Sequence, residues 1–205
     1  MIIPTSLASG PGSGETLHSD QTSAMNSLVF FLAYSVILLR IYADTAMTTK
    51  TSSDYTVMQI WGRDEYSNNS NHYLVDQIRG KWDADELLMR AQAFYQKASN
   101  LQKGLICNAF CVEAKANGIV LLQQLRKRKI PVIELEANKD KIMRAQDALP
   151  TIASGFVYLP KEAEFLSDYL REIEAFPAGV HDDVVDSTIY ALNDRELTLD
   201  LADTL

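Results

Sequence analysis

The hydrophobic periodicity of the chain changes part-way along its length, and this change limits the folds that it can form. Segments 38–46, 54–65 and 71–82 are rich in β-branched and aromatic residues, and turn-forming residues separate the second from the third. This pattern predicts three consecutive antiparallel strands. Two further segments, 104–114 and 130–137, are almost continuously apolar and predict buried strands.

Helical periodicity dominates the remainder of the chain after residue 82. The spacing of apolar residues predicts helices over 83–100, 117–129, 139–149, 162–176 and 181–193, with a short extended piece at 155–160. The resulting order is β-β-β-α-β-α-β followed by more helices. It predicts an α/β fold in which one mixed sheet, with three antiparallel strands and then parallel strands, is flanked by helices.

The first 37 residues do not share this pattern. Residues 1–26 are rich in Ser, Thr and Gly and predict a flexible leader. The apolar segment 28–39 has no basic residue before it, as a secretory signal would have, and a membrane span needs about 20 apolar residues. We therefore expect a leader and an apolar segment of uncertain fold over 1–37, a single domain over 38–205, and no membrane partner.

Composition leaves the binding partner open. The net charge of −8 and the pI near 4.9 argue against nonspecific binding of nucleic acid by the bulk surface. Carboxylates gathered at a metal site would raise the same negative count, and 123–130 is a local basic cluster that suits a helix C-terminus. Cys107 and Cys111 lie four residues apart in a predicted strand, so they should point the same way without bridging. A reduced, cytoplasmic protein is expected.

Three aspartates, Asp182, Asp183 and Asp186, occupy one turn at the start of the last predicted helix. Like charges at these spacings are neighbours on a helix and repel each other. Two explanations stay open for this segment alone. The helix dipole favours acidic residues in a first turn, and a bound cation would also offset their repulsion.

Two more acids stand at the ends of predicted strands. Asp44 ends the first strand, and Glu113 ends the apolar strand at 104–114. Glu113 alone also suits the start of the helix that follows it. Carboxylates at the ends of two strands and at a helix start are nevertheless the arrangement of a hard-cation site. Oxygen ligands suit Mg²⁺ or Mn²⁺, and no histidine or thiol cluster competes.

Several segments, in order, resemble the nuclease domain of the large terminase subunit of tailed bacteriophages. They are DTA with SSDYTVMQIWG and YLVDQIRGKWDADELL, then VEAKANG, DKIMRAQDALPTIASGFVYLP and FPAGVHDDVVDSTIYAL. The resemblance covers about residues 38–194. It implies a ribonuclease H-like fold and a metal-dependent endonuclease that cuts double-stranded DNA concatemers during genome packaging.

The same resemblance implies roles for individual residues. Catalytic and metal-binding positions are Asp44, Glu113, Asp183 and Asp182, of which Asp183 is preferred to its neighbour. Auxiliary positions are His181 and Asp186. Asp44 would bridge two ions of Mg²⁺ or Mn²⁺, which activate water and stabilise the entering and leaving oxygens.

Contacts with DNA must come from local positive charges. Lys115, Lys139, Lys141 and Arg144 lie in the segments that carry the resemblance and are predicted to contact phosphates. Their alternative is a solvated surface role. Phosphate contacts would make binding weaken steeply with salt.

One feature departs from the terminase pattern. A large terminase begins with a packaging ATPase that carries a phosphate-binding loop, and the GxxxxGK[ST] spacing is absent from this sequence. We therefore expect an excised nuclease domain or a truncated prophage product, with the motor domain, small subunit and portal as partners in trans. A junction resolvase, a ribonuclease H, or an inactive docking remnant are the alternatives.

Overall fold

The computed structural model describes residues 37–46, 55–64, 71–101, 105–136 and 140–194. The leader, most of the apolar segment and Lys139 lie outside them. The strands are β1 (Ile37–Asp44), β2 (Thr56–Asp64), β3 (His72–Gly80), β4 (Ile106–Glu113), β5 (Val132–Leu135) and β6 (Val157–Tyr158). The helices are α1 (Ala84–Ser99), α2 (Ala116–Lys127), α3 (Lys141–Ala153), α4 (Leu166–Ala175) and α5 (Asp183–Asn193).

The strands form one six-stranded sheet in the order β5-β4-β1-β2-β3-β6. β1, β2 and β3 pair antiparallel, whereas β4 and β5 extend the sheet in parallel beyond β1. β6 pairs in parallel with β3 at the other edge. The predicted mixed sheet, with its antiparallel and then parallel strands, is confirmed.

Helices cover both faces of the sheet. α1 and α2 pack on one face in a cluster that includes Ile41, Phe94 and Leu122. α3, α4 and α5 pack on the other face in a cluster that includes Tyr42 and Val184. Burial of each such side chain contributes roughly 1.5–3 kcal/mol to folding. No helix within the described ranges has both the length and the apolar character needed to cross a bilayer.

A β-bulge interrupts the pairing of the two central parallel strands. Leu39 pairs with Cys107, but the next residue, Arg40, pairs with Ala109, so Asn108 is an extra residue in β4. The amide oxygen of Asn108 accepts a hydrogen bond of 3.0 Å from Arg40 Nε. An extra residue of this kind exchanges the faces to which the following side chains point.

The bulge separates the two cysteines. Cys107 lies in the core under α1 and α2, and Cys111 lies in the core under α5. The prediction that they point the same way is therefore wrong, although both are free thiols as expected. Because side chains alternate along a strand, Glu113 emerges on the face of Cys111, which is also the face of Tyr42 and Asp44.

Two helix boundaries differ from the predicted ones by more than two residues. α3 continues past Pro150 to Ala153, and Ser154 closes its end with hydrogen bonds from its backbone N and its Oγ to the Pro150 carbonyl. α4 begins at Leu166 rather than at residue 162, because the preceding residues form a turn in which Leu166 N donates to the Ala163 carbonyl.

A buried ionic network fastens the C-terminal end of α5 to the sheet. The Arg40 guanidinium, which is 6% exposed, lies 2.6 Å from Asp194 Oδ2. Tyr42 Oη donates to the same oxygen at 2.6 Å, and Arg63 Nη1 donates to the Asp194 carbonyl at 2.9 Å. These contacts hold the helix against β1 and β2.

We expect Arg40→Ala to lower the free energy of unfolding by roughly 3–5 kcal/mol, because it removes one member of a buried ion pair. Urea denaturation followed by circular dichroism measures this change. Arg171→Ala is the control, since the Arg171–Asp168 pair of 2.7 Å is mostly exposed and should contribute at most about 1 kcal/mol. Equal losses in the two variants would contradict the structural role of Arg40.

Candidate active site

The two strand-end acids lie side by side. Ala43 of β1 pairs with Val112 of β4, so that Asp44 and Glu113 follow a paired position on neighbouring parallel strands. Both carboxylates belong to the face covered by α5. Glu113 is 5% exposed, and its Oε1 is 2.6 Å from the Nζ of Lys115, whose side chain is largely exposed.

α5 brings further acids to the same end of these strands. We call the cluster of Asp44, Glu113, Asp182, Asp183 and Asp186 the acidic corner. The backbone N of Asp44 donates to Ser187 Oγ at 3.2 Å, which fixes the second turn of α5 against the end of β1. Asp182 is the N-cap residue of this helix, and Asp183 and Asp186 lie in its first turn. Three segments distant in sequence therefore contribute carboxylates to one place.

Asp183 is held by partners from two other elements. It is 2% exposed, its Oδ2 accepts a hydrogen bond of 3.2 Å from the Tyr55 backbone N, and Arg79 Nη2 lies 3.5 Å from the same oxygen. Arg79 Nη1 is also 2.8 Å from Glu172 Oε2, and Glu172 Oε1 accepts from the Val184 backbone N at 2.7 Å. These contacts orient the Asp183 carboxylate.

Asp182 and Asp186 face cations from α3. Lys141 Nζ lies 2.5 Å from an oxygen of each carboxylate, and Arg144 Nη2 lies 3.3 Å from the other oxygen of Asp186. Asp186 is mostly buried in these contacts, whereas the side chain of Asp182 is 50% exposed. The two adjacent acids, Asp182 and Asp183, thus point to different surroundings.

Burial and the crowding of carboxylates raise the pKa of Asp44. Burial is the largest cause that raises its pKa, and the charges of Asp186, Asp183 and Glu113 raise it further. Lys141 opposes them only in part, so that the pKa of Asp44 is about 8 instead of 3.8. Without an added cation, the carboxyl group is mostly protonated at neutral pH.

Neighbouring groups show the same shortage of positive charge. Burial raises the pKa of Asp186, although hydrogen bonding with Lys141 and the charges of Lys141 and Arg144 oppose the shift. Burial also raises the pKa of the Tyr190 phenol, and the nearby Glu113 charge adds to it. An environment that disfavours additional negative charge in this way favours a cation.

The donor chemistry of the corner fits a hard divalent cation, because its ligands are carboxylate oxygens. Among the residues that the structure describes, no three carboxylate, imidazole or thiol side chains are arranged to hold one ion as they stand. Binding an ion therefore requires the carboxylates to rotate away from their present partners. Among the described residues, these partners include the ammonium groups of Lys115 and Lys141.

The fold and the acidic corner agree with the relationships of the chain. The family described as the terminase RNaseH-like domain matches residues 41–195. The chain belongs to this family. Curated proteins give no significant match. The match begins in β1 and ends just after α5, so it spans every element that contributes to the acidic corner.

Solved structures share the fold of this terminase domain. The human cytomegalovirus terminase nuclease domain aligns with a TM-score of 0.59 at 13% identity, over 86% of this chain and 93% of that one. The large terminase nuclease of the thermophilic phage G20c with bound magnesium gives 0.56 at 16% identity, over 77% and 82%. Its form with bound zinc gives 0.55 at 17% identity, over 77% and 81%. The ribonuclease H-like fold is thus confirmed.

The predicted acidic residues of this terminase domain occupy distinct positions. Asp183, Asp186 and Glu113 surround Asp44 closely enough for their charges to raise its pKa. Any effect of the Asp182 charge on the pKa of Asp44 is smaller than theirs. Asp186, predicted as auxiliary, has the largest effect on Asp44 of any single charge. Their catalytic and metal-binding roles stay predictions.

The predicted auxiliary and DNA-binding residues are more dispersed. His181 is exposed, and its ring lies edge-on to that of Tyr55 with 5.4 Å between centroids. Lys115 faces solvent beside Glu113. Lys141 and Arg144 turn inward to Asp182 and Asp186 instead, with side chains 22% and 12% exposed. Contact of any of these residues with DNA stays a prediction.

Sequence reasoning missed a second group of cations beside the acids. The Arg79 guanidinium lies 4.2 Å from the centroid of the Tyr55 ring, and Lys81 Nζ lies 4.7 Å from it. Arg79 also reaches Asp183. The alternation of Arg79 and Lys81 at the end of β3 was the available signal. The sequence alone does not connect these cations with Asp44, because the connection depends on the sheet order, in which β2 lies between β1 and β3.

Gly118 in α2 allows the helix to approach the end of β4. A Cβ atom at this position would lie 2.1 Å from the Glu113 carbonyl oxygen and 3.2 Å from Thr45 Oγ1. The first distance is far below van der Waals contact with a backbone atom that cannot rotate away. Glycine therefore sets the position of Glu113 relative to α2.

We expect Gly118→Ala to move Glu113 and to lower the free energy of unfolding by about 1–3 kcal/mol, as overpacking does. Urea denaturation measures the loss. Gln123→Ala, on the exposed side of the same helix, should change stability by less than about 0.5 kcal/mol. A Gly118→Ala protein as stable as the wild type would show that α2 does not constrain Glu113.

The raised pKa of Asp44 predicts how pH affects the metal-free protein. From pH about 4 to about 8, Asp44 ionises in the unfolded chain but stays protonated in the folded one, so its contribution to stability falls as pH rises. Asp44→Asn removes this loss. In the presence of chelator, it should be more stable than the wild type by roughly 1–3 kcal/mol at pH 8, and similar at pH 4.

Urea titrations at several pH values test this expectation. Asp168→Asn, in an exposed pair, is the control and should change stability by at most about 1 kcal/mol. Parallel pH profiles for the wild type and Asp44→Asn would contradict the position of the Asp44 carboxyl group among other carboxylates.

Proposed function

We propose that this terminase domain is an endonuclease that hydrolyses phosphodiester bonds of double-stranded DNA with Mg²⁺ or Mn²⁺. The observation that carries the proposal is the partly buried Asp44, which lies beside Glu113 at the ends of adjacent parallel strands and near Asp183 and Asp186 of α5. Membership of the terminase RNaseH-like family supports it. So do two similar structures, the G20c large terminase nuclease with bound magnesium and the human cytomegalovirus terminase nuclease domain soaked with manganese.

Asp44, Glu113 and Asp183 are the residues that would hold the ions, and Asp182 and Asp186 are further candidates. When bound in pairs, such ions lower the pKa of water and stabilise the charges on the entering and leaving oxygens. The proposed count of two ions comes from the family resemblance, and the three carboxylates whose charges act on Asp44 support it.

Other side chains of the domain orient these acids. Arg79 and the backbone N of Tyr55 hold Asp183, and Ser187 holds the backbone of Asp44. A carboxylate oriented in this way keeps its geometry while the substrate exchanges. Asp44 must lose its proton to take part, so activity should rise with pH as the carboxyl group ionises, and ion binding should shift this rise to lower pH.

Contact with the sugar–phosphate backbone would come from positive charges at the rim of the site. Lys115 is the most exposed cation beside the acids, with a side chain 60% exposed. Lys139, Lys141 and Arg144 remain candidates from the sequence. Few contacts on a chain of net charge −8 imply weak, sequence-tolerant binding, and each phosphate contact makes this binding more sensitive to salt.

The biological setting that we propose is genome packaging by a tailed phage or prophage in the cytoplasm of a bacterial host. The substrate would be concatemeric DNA. A motor domain, a small subunit and a portal would supply targeting and translocation. The terminase family relationship is the support for these partners.

The test is cleavage of supercoiled plasmid. Mn²⁺ or Mg²⁺ should produce nicked and then linear DNA, and Asp44→Ala should reduce the rate by roughly a hundredfold or more, since it removes electrostatic stabilisation of the transition state. Asp168→Ala, an exposed acid on α4, is the control and should cut at the wild-type rate. Gel electrophoresis with time measures all three proteins.

Other outcomes separate the alternatives. Full cutting by Asp44→Ala, or in excess chelator, would refute the proposal. A strong preference for four-way junctions would indicate a resolvase, and a preference for RNA–DNA hybrids a ribonuclease H. Folded wild-type protein without cleavage, and without stabilisation by Mn²⁺, would indicate an inactive docking remnant.

A further inference from the structure

An ammonium group lies among the oxygens of the acidic corner. Lys141 Nζ is 2.5 Å from Asp182 Oδ2, 2.5 Å from Asp186 Oδ2 and 3.2 Å from the Asp182 carbonyl oxygen. Its side chain is 22% exposed, and its charge also acts on Asp44. Three oxygens around one partly buried cation resemble the partial coordination shell of a metal ion.

We infer that Lys141 is an internal counter-ion of the metal-free site, which competes with the divalent cation for Asp186 and Asp182. The inference rests on the proposed function, because it needs a site that binds metal. Lys141 is a positioning residue in this role. It neutralises the acids while the ion is absent and withdraws when the ion arrives.

The neighbouring Arg144 does not suit this role. Its guanidinium is bonded to Asp186 Oδ1 and lies 4.7 Å from the centroid of the Tyr190 ring, so two fixed partners hold it. A lysine side chain is a point charge on a flexible stem and moves more readily than a planar guanidinium. Arg144 therefore keeps Asp186 in place, whereas Lys141 exchanges with the incoming cation.

A second partner is available to the displaced ammonium. The ring of Phe176 lies 5.8 Å from Lys141 Nζ, within the range of a cation–π contact. This ring offers the ammonium a contact after the incoming ion has displaced it from the carboxylates. The exposed half of the Asp182 side chain gives the same ammonium a route outward.

This role differs from the phosphate contact predicted from the sequence, and the two make opposite predictions for metal affinity. A competing ammonium weakens metal binding, so its removal strengthens binding. A lysine that only contacts DNA leaves metal binding unchanged in the absence of DNA. Lys141→Gln discriminates between them, because glutamine has a similar reach and no charge.

The experiment is calorimetric titration of Mn²⁺ into DNA-free protein at fixed pH and ionic strength. Lys141→Gln should bind Mn²⁺ about tenfold more tightly than the wild type, as the loss of one adjacent positive charge implies. Lys141→Arg keeps the charge and should bind no more tightly than the wild type. Because it keeps the positive charge, Lys141→Arg should fold without metal even where Lys141→Gln does not.

Lys97→Gln is the matched control for charge. Lys97 forms an ion pair of 2.6 Å with Asp76 on the face covered by α1, so the change in net charge is the same but is remote from the corner. Its affinity for Mn²⁺ should equal that of the wild type. An equal gain in Lys97→Gln and Lys141→Gln would attribute the effect to net charge and overturn the inference.

A second readout is stability. Lys141→Gln should unfold at lower urea concentration than the wild type in chelator, and saturating Mn²⁺ should reduce or reverse this difference. Unchanged or weaker Mn²⁺ binding in Lys141→Gln, with wild-type binding that Asp44→Asn weakens, would overturn the inference and leave the proposed function standing. Absence of Mn²⁺ binding in every protein would overturn both.

Discussion

Carboxylates that share a space poor in water repel each other and lose their hydration, and this cost governs the architecture around β1, β4 and α5. Asp44 avoids this cost by keeping its proton, since its pKa is about 8. Asp186 and Asp182 answer it by pairing with Lys141, and Asp183 by pairing with Arg79. The ion pairs that join the start of α5 to α3 and to β3 therefore offset the negative charge of these carboxylates.

The same contacts join stability to the proposed chemistry. Glu172 on α4 caps the start of α5 through the Val184 backbone N and at the same time binds Arg79, which reaches Asp183. A change in α4 that displaces Glu172 would therefore move Asp183 as well as loosen the packing. At the other end of α5, Arg40 and Asp194 anchor the helix without touching the acids. Anchoring and chemistry thus occupy opposite ends of one helix.

Much of this arrangement was predictable from the sequence because it follows from local patterns. Strands that end in Asp44 and Glu113 were visible as apolar runs closed by a carboxylate, and the parallel order of β1 and β4 brought those ends together. Arg79 was not predictable, since its partner Asp183 lies 104 residues away and depends on the docking of α5. The start of α4 was missed because a turn at Leu166 overrides an uninterrupted helical periodicity.

Asn108 shows how differently a site can respond to two kinds of inherited change. Losing Asn108 itself would leave every later pair with β1 unchanged, because Arg40 already pairs with Ala109, whereas losing one codon within 109–112 would pair Glu113 with Ala43. Glu113 would then face α2, on the far side of the sheet from Asp44. Among related sequences, the extra residue at the bulge can therefore be lost, whereas the length of the strand from Ala109 to Glu113 should be kept.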